Sequence, residues 1–305
     1  MKKKILVLSL IVLLCFTGCT KRFTVESDNK TVKSYVSNIL CQPTTKEMKQ
    51  VYIDNADKAK INVEKLPVCK NFKVNSGGYE GLWTSIFVKP LAWVIIQIGK
   101  FVKNYGLAIM LASLILRAIL FPFSKKSTMM SVNMKKAKPD LDKLEKKYAD
   151  KQDKDSMMKK SQEMMMIYKK YNISPMSGCL FAFLQLPIFF AFLEAIYRVP
   201  ILFEGKFLAF NLGTTPWEGI KSGNYFYIIL ILLIVGTTFF SMRNMNSAGM
   251  NDDQAKQMKT MNYFMVAFIA FASFSLPTAI ALYWIVSSGF TVIQNIILNK
   301  AIKDK

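Results

Sequence analysis

The chain has 305 residues, 52% of them apolar, with 41 Lys and Arg against 20 Asp and Glu and no histidine. Without imidazole the ordinary proton shuttle and the commonest metal ligand are missing, so the composition argues against an enzyme and no cofactor or metal is expected. A net charge of +21 suits nucleic acid or anionic lipid, but the basic residues border or separate long apolar runs, the distribution of a membrane protein.

Residues 1–18 read as an export signal, with Lys2, Lys3 and Lys4 before an apolar stretch and Thr17-Gly18 before Cys19. The arrangement resembles a bacterial lipobox, with Phe16 where leucine is usual. That likeness implies cleavage before Cys19 and lipid on its sulfur; an ordinary signal peptide or an uncleaved anchor is the alternative. Residues 19–81 then lie outside the cell. They are polar, lysine-rich and short of aromatic residues, so their core is expected to be small. An oxidising exterior permits a bridge between Cys41 and Cys69, with two free thiols as the other possibility.

After Gly77-Gly78, residues 82–103 place Trp83, Phe87, Leu91, Val94, Ile98 and Phe101 on one helical face. Lys89, Gln97, Lys100 and Lys103 fall on another. This predicts an interfacial amphipathic helix, with a tilted span as the alternative because of Pro90. Five apolar runs follow in a core of 104–299: residues 105–123, 176–198, 225–242, 261–276 and 277–299. The fourth is short, so it either thins the bilayer or begins further back. The loop 124–175 carries 14 lysines against seven acidic residues, and the tail 300–305 is basic, which places both in the cytoplasm.

Within that loop Met130, Met134, Ala137, Leu141, Leu144 and Tyr148 alternate at spacings of four and three. Met157, Ser161, Met164, Tyr168 and Tyr171 repeat the pattern. An antiparallel helical hairpin is expected, kinked or restarted at Pro139. Met129, Met158, Met165 and Met166 lie off the seam and suit either adaptable contact with apolar partners or gap-filling against the membrane. Lys146 and Lys147, with Lys135 and Lys136, form a basic face for ribosomal RNA, a translocon partner or anionic lipid.

Arg117 is the most informative residue. It sits inside the first run, eight residues before Lys125, so its Cα lies roughly 12 Å inside the cytoplasmic edge. An arginine at a span's centre costs on the order of 3 kcal/mol. Either it snorkels back to headgroups or it faces a polar cavity.

Arg117, Pro122, Asn172-Ile173-Ser174-Pro175, Gly178-Cys179-Leu180, Gln185-Leu186-Pro187-Ile188-Phe189, Pro277, Leu282-Tyr283-Trp284-Ile285 and Gln294 together resemble the YidC/Oxa family of membrane protein insertases over residues 82–299. The lipobox and the lack of a large exported domain are similar to its short Gram-positive type. The resemblance implies an all-α polytopic fold, five transmembrane helices around a hydrophilic groove, in a bacterial cell membrane. It also implies a mechanism without nucleotide: the polar exported end of a nascent membrane protein enters the groove beside Arg117 while its apolar segment slides into lipid. The ribosome and the Sec translocon are implied partners.

Gln185 and Thr237 are candidates for the groove, or for ordinary helix-to-helix hydrogen bonds, as are Ser287, Ser288, Thr291, Gln294 and Asn295. Tyr283 and Trp284 suit a slide for the departing client helix or an aromatic belt. Glu194 and Arg198, four apart, read as a stabilising pair. The rival function is a small anion transporter or channel using Arg117, against which stand the missing internal repeat and the large cytoplasmic hairpin.

Overall fold

The computed structural model describes residues 20–26, 32–151, 153–243 and 252–303; the export signal, Cys19 and the last two residues of the tail lie outside them. In chain order the elements are strands β1 (Arg22–Glu26) and β2 (Val32–Val36), and helices α1 (Lys46–Asp54) and α2 (Ala56–Ala59). A π-helical turn, Thr84–Val88, leads into α3 (Lys89–Val102), followed by α4 (Tyr105–Lys147), α5 (Lys154–Lys170) and α6 (Pro175–Tyr197). Strands β3 (Lys206–Phe207) and β4 (Phe210–Asn211) precede α7 (Pro216–Lys221), α8 (Tyr227–Arg243), α9 (Asp252–Ser273) and α10 (Thr278–Lys303).

Helices dominate, but the all-α expectation needs correction. Strands β1 and β2 pair antiparallel with Phe23 opposite Tyr35, and β3 pairs with β4 over two residues. The alternation of Phe23 and Val25 with polar neighbours carries the strand period, and the lysines around it mask the signal.

The chain forms two compact units, one of Met1–Ile115, Leu184–Ile228 and Ser275–Tyr283, the other of Leu116–Phe183, Ile229–Phe274 and Trp284–Lys305. In the first, Phe23, Tyr35 and Tyr52 of the 20–80 segment meet in one cluster. Phe23, Ile39, Tyr52, Ala59 and Val63 are buried together, with Phe23 and Tyr52 edge to face at 5.4 Å. The Tyr52 hydroxyl donates to the Val36 carbonyl at 2.6 Å, which ties α1 to β2. A disulfide joins Cys41 to Cys69, and beside it the Gln42 amide donates to the Pro67 carbonyl at 2.9 Å.

A buried group of charges fastens the 20–80 segment to the helices. Arg198, just past the end of α6, donates from Nε to the Asn38 carbonyl at 2.6 Å and from Nη1 to Thr84 Oγ1 at 3.2 Å. Its guanidinium also pairs with Glu194 at 3.1 Å and with Glu80 at 2.5 Å. The Trp83 indole donates to the second Glu194 oxygen at 2.8 Å. Lys89 closes the group, pairing with Glu80 at 2.9 Å and donating to the Ser76 and Gly78 carbonyls at 2.8 and 2.6 Å. Two cations thus meet two carboxylates, and the donors left over find carbonyls.

Lys89 is therefore not on a solvated face, as its helical position suggests; it is 0% exposed. The face of α3 turned into the unit is Ala92, Ile95, Ile96 and Gly99, continued by Val88 of the π-helical turn, whereas Phe87 and Phe101 of the predicted apolar face are exposed. Helix α3 ends where Lys103 takes a left-handed conformation (φ 54°), and Asn104 caps α4 by accepting from the Leu107 amide at 2.9 Å. Gly99 is required at this reversal, because a Cβ there would lie 2.4 Å from the Tyr105 ring. The loop after α6 is bound to the start of α10 by Thr278 and Ala279, whose amides donate to the carbonyls of Thr214 (3.1 Å) and Leu212 (2.9 Å).

In the second unit α4 runs on without restarting at Pro122 or Pro139. Both prolines are on the exposed side of the helix, where the lost amide bond and the displaced carbonyl are tolerated. Helix α5 folds back on it: Ala137, Leu141 and Ile173 are buried together, with Met130, Met134, Met164, Ile167, Tyr168 and Tyr171 packed around them. Met157 and Ser161 depart from the predicted seam and are exposed, since the first turns of α5 lie beyond it. Cross-pairs flank the seam, Lys147 to Glu163 at 2.7 Å and Lys170 to Asp140 at 2.8 Å.

Among the described residues three helices are long and apolar enough to cross a membrane, Thr84–Val102, Tyr105–Lys147 and Thr278–Leu298, with shorter apolar helices at Gln185–Tyr197 and Tyr227–Met242. Helix α9 starts at Asp252, well before the apolar run at 261, and its added first turns carry Asp252, Asp253, Lys256 and Lys259.

Two expectations follow from this packing. Arg198→Ala leaves Glu194 and Glu80 facing each other without their shared cation, at a cost of about 3–5 kcal/mol, and should expose the 20–80 segment to limited proteolysis of the full chain. Burial raises the Glu80 carboxyl, but hydrogen bonds and charge from Lys89 and Arg198 outweigh that and hold it below the usual range. Its contribution is present above the unfolded value and is lost as pH falls through the lower folded one, so the same segment should loosen below about pH 4. In the hairpin, Leu141→Ala should cost about 2–5 kcal/mol and raise hydrogen exchange in α5, while Lys146→Ala leaves exchange unchanged.

Candidate functional site

Arg117 stands on α4 in the second unit. Its Nε donates to the Ser287 hydroxyl on α10 at 2.8 Å, and Nη2 donates to the same oxygen. A hydroxyl can accept these bonds and orient the planar guanidinium, but it cannot cancel the charge.

The contact is the first rung of a polar seam. One turn pair further along, Ser124 donates to the Gln294 side-chain oxygen at 2.9 Å. Thr128 Oγ1 then accepts from Gln294 Nε2 at 3.2 Å and donates to Asn295 Oδ1 at 3.3 Å. The first two rungs both join residues 170 apart in the chain, the signature of two helices running parallel in constant register. Arg117, Ser124 and Thr128 recur at seven and four, one stripe of α4, and Ser287 and Gln294 answer at seven on α10. Ser124 and Thr128 escaped the sequence reading; their spacing from Arg117 was the available signal.

Helix α8 joins α10 through Trp284, whose indole donates to Thr238 Oγ1 at 2.9 Å. Thr238, not Thr237, makes that bond. The Thr237 hydroxyl donates to its own helix, to the carbonyls of Leu233 at 2.7 Å and Ile234 at 3.2 Å. Thr291 does the same with Ser287 at 3.1 Å.

Other predicted residues fall elsewhere. Tyr283 belongs to the first unit and is 2% exposed, stacked on Phe192 at 4.3 Å and tilted against Phe189 at 6.0 Å. Gln185 is half-buried on α6 in that same unit. The side chains of Gly178, Cys179 and Leu180, like Cys19, lie outside the described residues. Glu194 and Arg198 belong to the larger charge group given above.

The hairpin divides its methionines as the periodicity suggests except at Met157, which is exposed. Met158, Met165 and Met166 are exposed, and Met129 is half-buried. Lys147 is engaged by Glu163 and lies over the Tyr148 ring at 5.3 Å, whereas Lys146 is exposed.

The model of the 60Kd inner membrane protein family matches residues 97–305. The membrane protein insertase YidC of Oceanobacillus iheyensis is 35% identical over 228 residues, 74% of this chain and 87% of that protein. The YidC of Alkalihalophilus pseudofirmus is 35% identical over 218 residues, 70% of this chain and 81% of its own. A crystal structure of an active YidC insertase with its first transmembrane domain resolved aligns at 21% identity over 84% of this chain and 53% of that one, with a TM-score of 0.47, a likeness too distant to fix the fold. By the extent of the family match and the identity to these relatives, the chain belongs to the YidC/Oxa family of membrane protein insertases.

Proposed function

We propose that this membrane protein insertase works through the seam of Arg117, Ser287, Ser124 and Gln294, along which the polar exported end of a client chain passes while its apolar segment moves into lipid. The observation that carries this reading is the guanidinium of Arg117 held by a hydroxyl inside an otherwise apolar run. Insertase relatives favour this function and lend nothing to the anion transporter.

Magnitudes assign the parts. Twenty apolar client residues at about 0.3–0.6 kcal/mol each release roughly 6–12 kcal/mol on entering lipid, which is the driving term. An acidic client residue at mid-bilayer costs about 3 kcal/mol, and a cation 4 Å away returns about 4 kcal/mol at an effective dielectric of 20. Arg117 therefore offsets roughly one acidic residue at a time; it lowers a barrier and does not drive the process.

The chain crosses the membrane five times, by α4, α6, α8, α9 and α10, with α3 lying along the outer interface. Loop charge supports a cytoplasmic hairpin and carboxyl terminus. Trp284 extends the polar path, Thr237 joins it when its hydroxyl turns from its own helix, and Gln185 is a client contact of the first unit. The exposed methionines of α5 receive apolar client segments, and Lys146 and its neighbours meet the ribosome, the Sec translocon or anionic lipid. No nucleotide is used. Cys19 carries lipid after removal of residues 1–18, which anchors the exported segment outside the cell.

In cells depleted of insertase and rescued with variants at matched expression, Arg117→Ala should slow insertion of clients with short acidic exported ends about tenfold or more. Arg117→Lys should retain part of the activity, because the charge survives without the planar fork. Ser287→Ala should fall between them, as the cation remains but is no longer aimed. Equal insertion by wild type and Arg117→Ala would falsify the role of that charge.

A further inference from the structure

The exported segment carries a cavity of about 300 Å³ beneath its small sheet. Tyr35, Ile39, Met48, Tyr52, Tyr197 and Phe203 wall it, and the turns at Pro200 and Pro277 close it from the helix side. Its polar groups are engaged within the protein. The Tyr52 hydroxyl donates to Val36, and the Glu204 carboxylate at the rim accepts from the Thr44 amide at 3.0 and 3.1 Å. What faces the cavity is chiefly ring and aliphatic surface, which offers a peptide backbone few partners but suits a hydrocarbon chain.

Where the amino terminus enters decides the occupant. Arg22 lines the same cavity, with its guanidinium 4.8 Å above the Tyr197 ring. Lys21 is held from both sides, its amide donating to Asn38 Oδ1 at 3.1 Å and its carbonyl accepting from the Ser37 amide at 2.8 Å. Cys19 is two residues from that fixed point, a reach of about 7 Å. A chain already inserted through several apolar helices gains no membrane retention from a lipid; what a lipid tied this closely adds is position.

On the reading that Cys19 is lipid-modified, we propose that one acyl chain of that lipid occupies the cavity between the exported sheet and the turns at Pro200 and Pro277. The ester carbonyls sit at the rim within reach of Arg22, a donor suited to them. The exported segment is then fixed at three places: by the acyl chain, by the charge group at Arg198 and by the Thr44 bonds to Glu204.

The test uses the full chain produced in cells fed a fatty acid with a terminal diazirine, irradiated, purified, digested and analysed by mass spectrometry. The expected product is the lipid-modified amino-terminal peptide crosslinked to peptides containing Met48, Tyr52 or Phe203. Ser34→Trp, an exposed strand position that lines the cavity, should reduce that product at least fivefold while leaving protease resistance of the segment unchanged. Lipid on Cys19 with crosslinks only to other helices, or free phospholipid adducts at the cavity peptides, overturns the proposal while leaving lipidation intact. An unmodified Cys19 overturns both together.

Discussion

A charge withdrawn from water must be met by the fold, and this chain meets that demand in two ways. In the first unit Arg198 and Lys89 are matched by Glu194 and Glu80, with Trp83, Thr84, Asn38 and the 76–78 carbonyls taking up the remaining hydrogen-bonding capacity. In the second unit Arg117 donates to the hydroxyl of Ser287, which orients its planar guanidinium. The first arrangement suits a fixed joint.

The joint has a position in the chain that bears on its meaning. The family model begins at residue 97, so Arg198 and Glu194 lie within the matched stretch, while Glu80, Lys89 and the strands β1 and β2 lie before it. The 20–80 segment is joined to that stretch through these ion pairs, and its own core, made from Phe23, Ile39 and Tyr52, is small.

The polar seam and the hairpin are linked by a single element. Helix α4 carries Arg117, Ser124 and Thr128 and then continues through Pro139 to Leu141 and Leu144, where α5 packs. The two prolines mark outward-facing positions without interrupting it. An uninterrupted helix gives Arg117 and the hairpin a common rigid support, with the methionines of α5 exposed beyond the seam.

The apolar helices were legible in the linear chain, because hydropathy is a property of a run of residues. The hairpin seam was legible from its period, except at Met157 and Ser161, where nothing in the spacing says how far the partner helix extends. The strands at Arg22–Glu26 and Val32–Val36 were obscured by their shortness and by the charged residues in and around them, Lys21, Arg22, Glu26, Lys30 and Lys33. What the tertiary structure alone decided was partnership: that Ser287 meets Arg117 and Gln294 meets Ser124 across 170 residues, that Lys89 turns inward to Glu80, and that Tyr283 packs on Phe192. Helical period tells which face a residue occupies; which face of another helix it meets depends on register and on three-dimensional packing that local spacing does not contain.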